Sequence, residues 1–401
     1  MAASDLTSVA YIYKRYYSDK QVGDLAMRDH PLFKMMSKEG GFSGTAYFYA
    51  IRYGNPQGVG GTFASTQAAA ASSKGVQLQA SRKPKYGVIT MDGEAMAAAE
   101  GDKGAFLDLV TQETDGVLEE MGDSLAFDLY REGYGQRGRI SAISSDLVTL
   151  TVADHARNFK VGMTVVGDDT AAGTSLRDSG DSTTVTAVDE DQGKISLASV
   201  AAISGLTTND YLFRVGDPGT CMEGLMSHFP LTAPVLGSDS FRGIDRGQHA
   251  RALSGVRVND TATAIEENSG LVAVKINQSG QKAKVVMLNP INFWQVARRL
   301  NAKVTYDGGG NKAAYGFEGF DIHTPAGTLR CISDPDCPTT LGFVLNTETL
   351  YLKHLRGLPH IIKDDDRPSL RQTSADGVEA RARGWVNLIC TKPGANGTFA
   401  I

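Results

Sequence analysis

Asp364-Asp365-Asp366 is the densest run of charge in the chain. Three adjacent carboxylates are hard oxygen donors and suit a divalent cation. Such runs more often stand in solvent or face arginine across an interface. Arg367, Arg371, Arg381 and Arg383 follow closely, so the ion-pair reading is the stronger and no metal is expected. A second cationic group, Arg82, Lys83 and Lys85, suits acidic neighbours, against the plainer reading of a solvated face. A third lies near the start, where Lys14, Arg15, Lys20 and Arg28 accompany Tyr11, Tyr13, Tyr16 and Tyr17. Basic and aromatic side chains together can hold nucleic acid by charge and stacking. The blander alternative, the stronger of the two, is an arm that packs against protein.

The remaining reactive types form no constellation. The seven histidines (His30, His155, His228, His249, His323, His354 and His360) are scattered, and none pairs at helical metal spacing. Cys221, Cys331, Cys337 and Cys390 contain no Cys-x-x-Cys and read as reduced, buried thiols. There is no Gly-x-x-x-x-Gly-Lys-Ser/Thr phosphate loop and no Gly-x-Ser-x-Gly elbow. The glycines at 54–61 lack the strand-turn-helix setting of a dinucleotide loop. The expectation is a protein that is not an enzyme and takes no cofactor.

Composition is that of a globular chain and not a disordered one. The 401 residues are 41% hydrophobic and 21% charged, which is ordinary for a folded chain of two or three domains. Forty basic against 45 acidic side chains leave a net charge of -5, which argues against a dedicated nucleic-acid binder while allowing a local basic face. The N-terminus has no signal-peptide pattern, and no apolar run reaches membrane-spanning length.

These groups need elements to position them. Asp29-His30-Pro31 predicts a short helix through Met36. Tyr47–Tyr53 alternates as a strand, and Val76–Met91 reads as a second. Between them lies a Gly/Ala/Ser/Thr-rich tip, Gly54–Gly75, with Gly58, Gly60 and Gly61. The prediction is one long hairpin, too thin to bury itself, which packs on its own domain or on another chain. Phe106, Leu109, Val110, Val117, Met121, Leu125 and Leu129 predict a helix over 105–131. Gly116 and Gly122 weaken its intrinsic propensity, so packing must hold it. From 135 to 217, six short strand-like runs separated by turn clusters predict a small all-β barrel or sandwich inserted in the chain. Thr263-x-x-Glu266 predicts a capping box for a helix to about Asn277, and Asn289-Pro290 an N-cap and first turn for the next. Later strands are expected near Ile322, Leu341–Leu345 and Val386–Thr391.

This order of parts resembles the major capsid proteins of tailed bacteriophages, the Hong Kong 97-type coat fold. The local matches are Val285-Val286-Met287-Leu288-Asn289-Pro290 with the Phe293-Trp294 helix, and Ala380-Arg381-Ala382-Arg383-Gly384-Trp385-Val386. The resemblance implies an α+β fold: an N-terminal arm at 1–44, an extended hairpin loop at 45–92, and a peripheral domain with a spine helix at 93–134. After the inserted β domain at 135–217, the peripheral domain continues at 218–254. An axial domain at 255–335 and C-terminal peripheral strands at 336–401 complete it. It implies a structural protein of the virion capsid, assembled in the host bacterial cytoplasm into hexamers and pentamers of an icosahedral shell around double-stranded DNA.

The partners so implied are further copies of the chain, neighbouring capsomers and, weakly, the packaged DNA, together with portal and decoration proteins, and no membrane. Only the arm precedes the hairpin, so scaffolding is expected from a separate protein. Contacts between subunits would fall on Gly58, Gly60, Gly61, Lys74, Arg82, Lys83, Lys85, Asp364, Asp365, Asp366, Arg381 and Arg383. Lys14, Arg15, Lys20 and Arg28 would face DNA. Some members of the family join a hairpin lysine to an asparagine; Lys74 or Lys83 could serve, but no catalytic glutamate can be placed. The inserted domain would sit outside the shell. The alternatives are an encapsulin-like compartment, a tail-tube protein and a hydrolase with an accessory β domain. The central expectation is that the hairpin finds its energetic home only on an adjoining copy.

Overall fold

The computed structural model describes residues 30–42, 44–94, 103–299, 319–357, 359–362, 369–371 and 376–401. They form two units: one from residues before 131 and after 227, the other Arg131–Ser227.

In the first unit, one six-stranded sheet is organised by the long strand Gly377–Cys390. Val378, Ala380, Ala382 and Val386 alternate into the core, the period-two pattern of a half-covered strand. Its early part pairs antiparallel with Lys83–Asp92, from Gly377 opposite Asp92 to Val386 opposite Lys83. Its later part, Val386–Cys390, pairs with Leu350–His354. The helix Lys103–Tyr130 packs against Lys83–Asp92 and buries Leu118, Met121, Leu125 and Leu129. Gly87 allows that approach, since a Cβ there would lie 2.6 Å from Met121 Sδ and 2.8 Å from Val117 Cγ1. Each fully buried leucine adds about 1.5–3 kcal/mol, which offsets the weak propensity of the two helical glycines.

A second six-stranded sheet runs in the order Val256–Val258, Gly397–Ala400, Leu341–Leu345, Val285–Leu288, Gly327–Ser333 and Gly319–Thr324. The strands Leu341–Leu345, Val285–Leu288 and Gly397–Ala400 are buried throughout, so their apolar runs are continuous rather than alternating. The helices Ile265–Asn277 and Pro290–Arg299 contribute Ile265, Val272, Ala273, Ile276 and Val296 to its core. This corrects the partition read from sequence. Strands 341–345 and 397–400 complete the sheet of the 255–335 region instead of returning to the other layer. A continuous apolar strand needs cover on both faces, and the interior positions of this sheet supply it.

Three local expectations also change. Val76–Met91 is two strands, Lys74–Ser81 and Lys83–Asp92, broken at Arg82; only the first pairs with Ala46–Gly54 in the hairpin. The hairpin tip is not wholly irregular, because Phe63–Ala68 makes a short helix capped by Thr62, whose Oγ1 accepts from Ser65 N at 3.3 Å. The capping box at Thr263 does not form. Its hydroxyl donates to Asp260 Oδ2 at 2.7 Å, and Ala264 stands at the N-cap without a side-chain bond.

The second unit contains a closed barrel, in the cyclic order Tyr211–Arg214, Gln136–Ser144, Leu147–Leu150, Lys194–Leu197, Ser182–Asp189 and Thr164–Asp168. Ile140, Val148, Leu150, Phe159, Val165, Val185, Ile195 and Leu212 fill it. Its turns are tied by carboxylates: Asp168 accepts from Thr170 N at 2.6 Å and Ser175 N at 2.7 Å, and Asp189 from Gln192 N at 2.9 Å.

Candidate assembly surface

The hairpin has an inner face, an outer face and a tip, and they differ. Tyr49, Ile51, Leu78 and Ala80 on the inner face are buried against Ile244, Leu253 and Ile389 of the same chain. Arg242 clamps this contact. It donates to Tyr49 Oη at 2.9 Å, to Leu388 O at 2.8 Å and to Asn387 Oδ1 at 3.1 Å. Tyr53 Oη donates to Gln248 Oε1 at 3.1 Å. The expectation that the hairpin is stabilised only by an adjoining copy is therefore corrected. Alternation places one apolar row of the ribbon inward, and the segment around 241–253 covers it.

What remains outward is the other row and the tip. Phe48 is exposed, Val59 is 87% exposed and Phe63 82%. Gly58 and Gly60 lie over the short tip helix, where added Cβ atoms would meet Ala70 Cα at 3.5 Å and Thr66 Oγ1 at 3.0 Å; Gly61 faces open space. Lys74 pairs with Gly54 where the tip rejoins the strands.

The charged candidates at the hairpin base separate. Arg82 occupies the break between strands, and Lys83 lies opposite Val386. Lys85 turns inward, with Nζ 3.2 Å from Asp128 Oδ2, and that side chain is only 1% exposed. Arg383 stacks over Trp385, 4.3 Å from the ring centre, and donates to His360 Nε2 at 3.2 Å. Arg381 is bonded to Glu379. Lys14, Arg15, Lys20, Arg28, Asp364, Asp365 and Asp366 lie outside the described residues.

Sequence reasoning missed a buried polar cluster where the described chain begins. His30 Nδ1 lies 2.6 Å from Asp336 Oδ2, and its Nε2 lies 3.2 Å from Asp123 Oδ1. Burial pulls the imidazole pKa down, but the bonds to Asp123 and Asp336 and their charges outweigh it and raise the value to about 10. Behind it, Asp334 accepts from Leu32 N at 3.0 Å and Tyr130 Oη at 2.8 Å. Burial first, and the charge of Asp336 second, push Asp334 up to about 6. The cluster pins the helix Pro31–Met35 to the end of the long helix. No short-range signal could reveal it, because its members are drawn from three distant segments.

All four cysteines are reduced and buried. Burial raises the thiol pKa of Cys390 to about 12 and that of Cys331 further, which suppresses thiolate chemistry. Among the described residues no group of His, Cys, Asp and Glu could hold a metal ion, and no helix is long and apolar enough to cross a membrane.

No family model matches the sequence, and no curated protein does. Among solved structures, a chain of the cyanophage A-1(L) capsid asymmetric unit is similar over 92% of this chain and 91% of its own, at 12% identity and a TM-score of 0.53. The capsid of a native GTA particle matches over 94% and 90% at 9% identity and 0.45. The SrpI encapsulin of Synechococcus elongatus PCC 7942 matches over 100% and 96% at 6% identity and 0.45. The last two likenesses are too loose to weigh. The first establishes the fold: the chain has the Hong Kong 97-type capsid architecture.

Proposed function

We propose that this chain is the structural coat protein of a tailed bacteriophage, assembling through hexamers and pentamers into an icosahedral shell around double-stranded DNA. The observation that carries this reading is the capsid likeness, which extends over nine-tenths of both chains. In this reading the hairpin is the extended loop and Lys103–Tyr130 is the spine helix. The sheet built on Gly377–Cys390 is peripheral, and the sheet containing Val285–Leu288 is axial.

The task is mechanical, not catalytic. Closed symmetry repeats one modest contact many times, and the repetition makes the shell stable. Because the inner face of the hairpin is already seated, the contact offered to a neighbour is confined to the outer row and the tip. Val59 and Phe63 supply apolar area there, and Lys74, Arg82 and Lys83 supply charge around it. Arg381 and Arg383, with the acidic run at 364–366, belong to the same set of proposed contacts. The basic arm residues at 14, 15, 20 and 28 face the DNA, weakly, under an overall net charge of -5.

Negative-stain microscopy of the expressed chain, alone and with its neighbouring genes, tests the proposal. Closed icosahedral particles are expected. A variant lacking residues 58–72 should keep its circular dichroism and melting transition yet form no shells. Tubes from the full chain would overturn the shell reading, and normal shells from the deletion would overturn the role of the tip.

A further inference from the structure

The sheet organised by Gly377–Cys390 has an open edge. The strand Lys83–Asp92 pairs with Gly377–Cys390 on one side, and among the described residues no strand pairs with its other side. The ladder fixes where its backbone groups point. Gly93 N donates to Asp376 O at 2.7 Å, so that pair is a hydrogen-bonded one, and alternation makes the odd-numbered positions of the strand hydrogen-bonded throughout. The even-numbered residues lie opposite residues of the long strand that bond elsewhere. Arg381 O, opposite Val88, accepts from Ile362 N at 2.7 Å, and Trp385 O, opposite Pro84, accepts from Leu355 N at 3.3 Å. Tyr86, Val88 and Thr90 therefore turn their N–H and C=O groups to the open edge.

Their side chains are open as well: Tyr86 is 60% exposed and Val88 51%, and Thr90 is exposed. The other face is used, since Lys85 meets Asp128 and Ile89 is buried. An open edge is a template for pairing, and proteins usually guard it with proline, lysine or a bulge. Here Pro84 and Lys83 guard one end alone, while Tyr86-Gly87-Val88-Ile89-Thr90 carries no charge and no proline. The flanking charge is asymmetric. Arg82 and Lys83 stand at the start of the strand, and the exposed Asp92 and Glu94 at its end. Such a strand is complementary to a reversed copy of itself.

We propose that the outer edge of Lys83–Asp92 pairs antiparallel with the same edge of a second copy, about a twofold axis at Val88. Tyr86, Val88 and Thr90 then meet Thr90, Val88 and Tyr86 of the other copy, and each pair exchanges both backbone bonds. Arg82 of each copy comes within reach of Asp92 and Glu94 of the other, across the diagonal of the ladder. The register is specified from both ends. Moving the axis toward the basic end brings Pro84, which has no N–H, into the middle of the ladder. Moving it the other way draws Asp92 onto Val88 and away from Arg82. The contact is isologous and closes on two copies, unlike the head-to-tail contacts of a ring, so it does not depend on the shell reading.

The test is disulfide trapping in the full chain with diamide as oxidant, read on non-reducing gels of free subunits or of particles. Hydrogen-bonded antiparallel partners have Cα atoms about 5.5 Å apart, within disulfide range. Val88→Cys lies opposite itself and should link into dimers. Thr90→Cys is also exposed, but its two copies lie four positions apart along the ladder, roughly 14 Å, and should link about a tenth as much or less. The native thiols are buried and do not compete. In the Val88→Cys background, Arg82→Glu and Asp92→Arg should each lower the dimer yield about fivefold by setting like charges together. Mixing those two variants should restore it, because each then offers the charge the other lacks. All these positions are at the surface, so the parent melting transition should be kept. Equal linking at both positions, no linking at Val88, or a Val88 dimer that mixing the charge variants fails to restore would each overturn the pairing.

Discussion

His30 and Asp336 stand 306 positions apart in sequence, and their side chains meet at 2.6 Å in a buried cluster. His30 keeps its proton to about pH 10 in the folded chain, against an ordinary value of 6.5. Because the folded value is raised, its stabilisation is complete below about pH 6.5 and is lost as pH climbs through about 10. Asp123 and Asp336 face the ring directly, with Asp334 and Tyr130 behind them. His30→Gln should therefore destabilise by about 1–3 kcal/mol near pH 6 and by little above about pH 10. Thermal denaturation across that range measures it, and a cost that does not vary with pH would remove the proton from the account.

Lys85 and Asp128 make a similar test in the hairpin base. Removing one member of a buried ion pair costs about 3–5 kcal/mol, whereas replacing both by apolar groups costs far less. Lys85→Ala should show the larger loss in denaturant titration, and Lys85→Met combined with Asp128→Leu should recover most of it. Equal losses in both would show that the pair is not the source.

Asn289 is fully buried and works in two directions. Its Oδ1 accepts from Ile291 N at 3.0 Å, capping the helix Pro290–Arg299, and its Nδ2 donates to Cys337 O at 3.0 Å. Asn289→Ala should cost about 2–4 kcal/mol, the cap plus a stranded carbonyl, read from the shift in denaturation midpoint.

Phe63 separates assembly from folding. It stands exposed on the tip helix, so Phe63→Ser should change subunit stability by no more than about 0.5 kcal/mol while sharply reducing particle yield by light scattering. Tyr49→Ala, on the seated face of the same hairpin, should lower both. Unchanged particle yield for Phe63→Ser would remove that side chain from the contact.

Much of the fold was legible because periodicity is local. The helix over 105–131 appears as Lys103–Tyr130, and the strands read around 140–215 occur close to their expected places because turn clusters bracket each one. The break at Arg82 was missed because its mark is structural: the buried positions are even-numbered at Leu78 and Ala80 and odd-numbered at Ile89, but Val88 and Ile89 are both apolar, so the sequence does not show the change of parity. Thr263 failed as a cap because Asp260, three residues earlier, competes for its hydroxyl. The seating of the hairpin by Arg242 and the His30 cluster depend on partners more than a hundred positions apart or drawn from separate segments, and no pattern within one segment encodes them.

The buried thiols have a practical consequence. With Cys221, Cys331, Cys337 and Cys390 all shielded, maleimide chemistry on the native chain has little background. Gly61 has open space around its missing side chain, so a cysteine placed there would take up a fluorophore selectively. Self-quenching of that dye would then register, in real time, the moment when the tips of adjoining copies draw near.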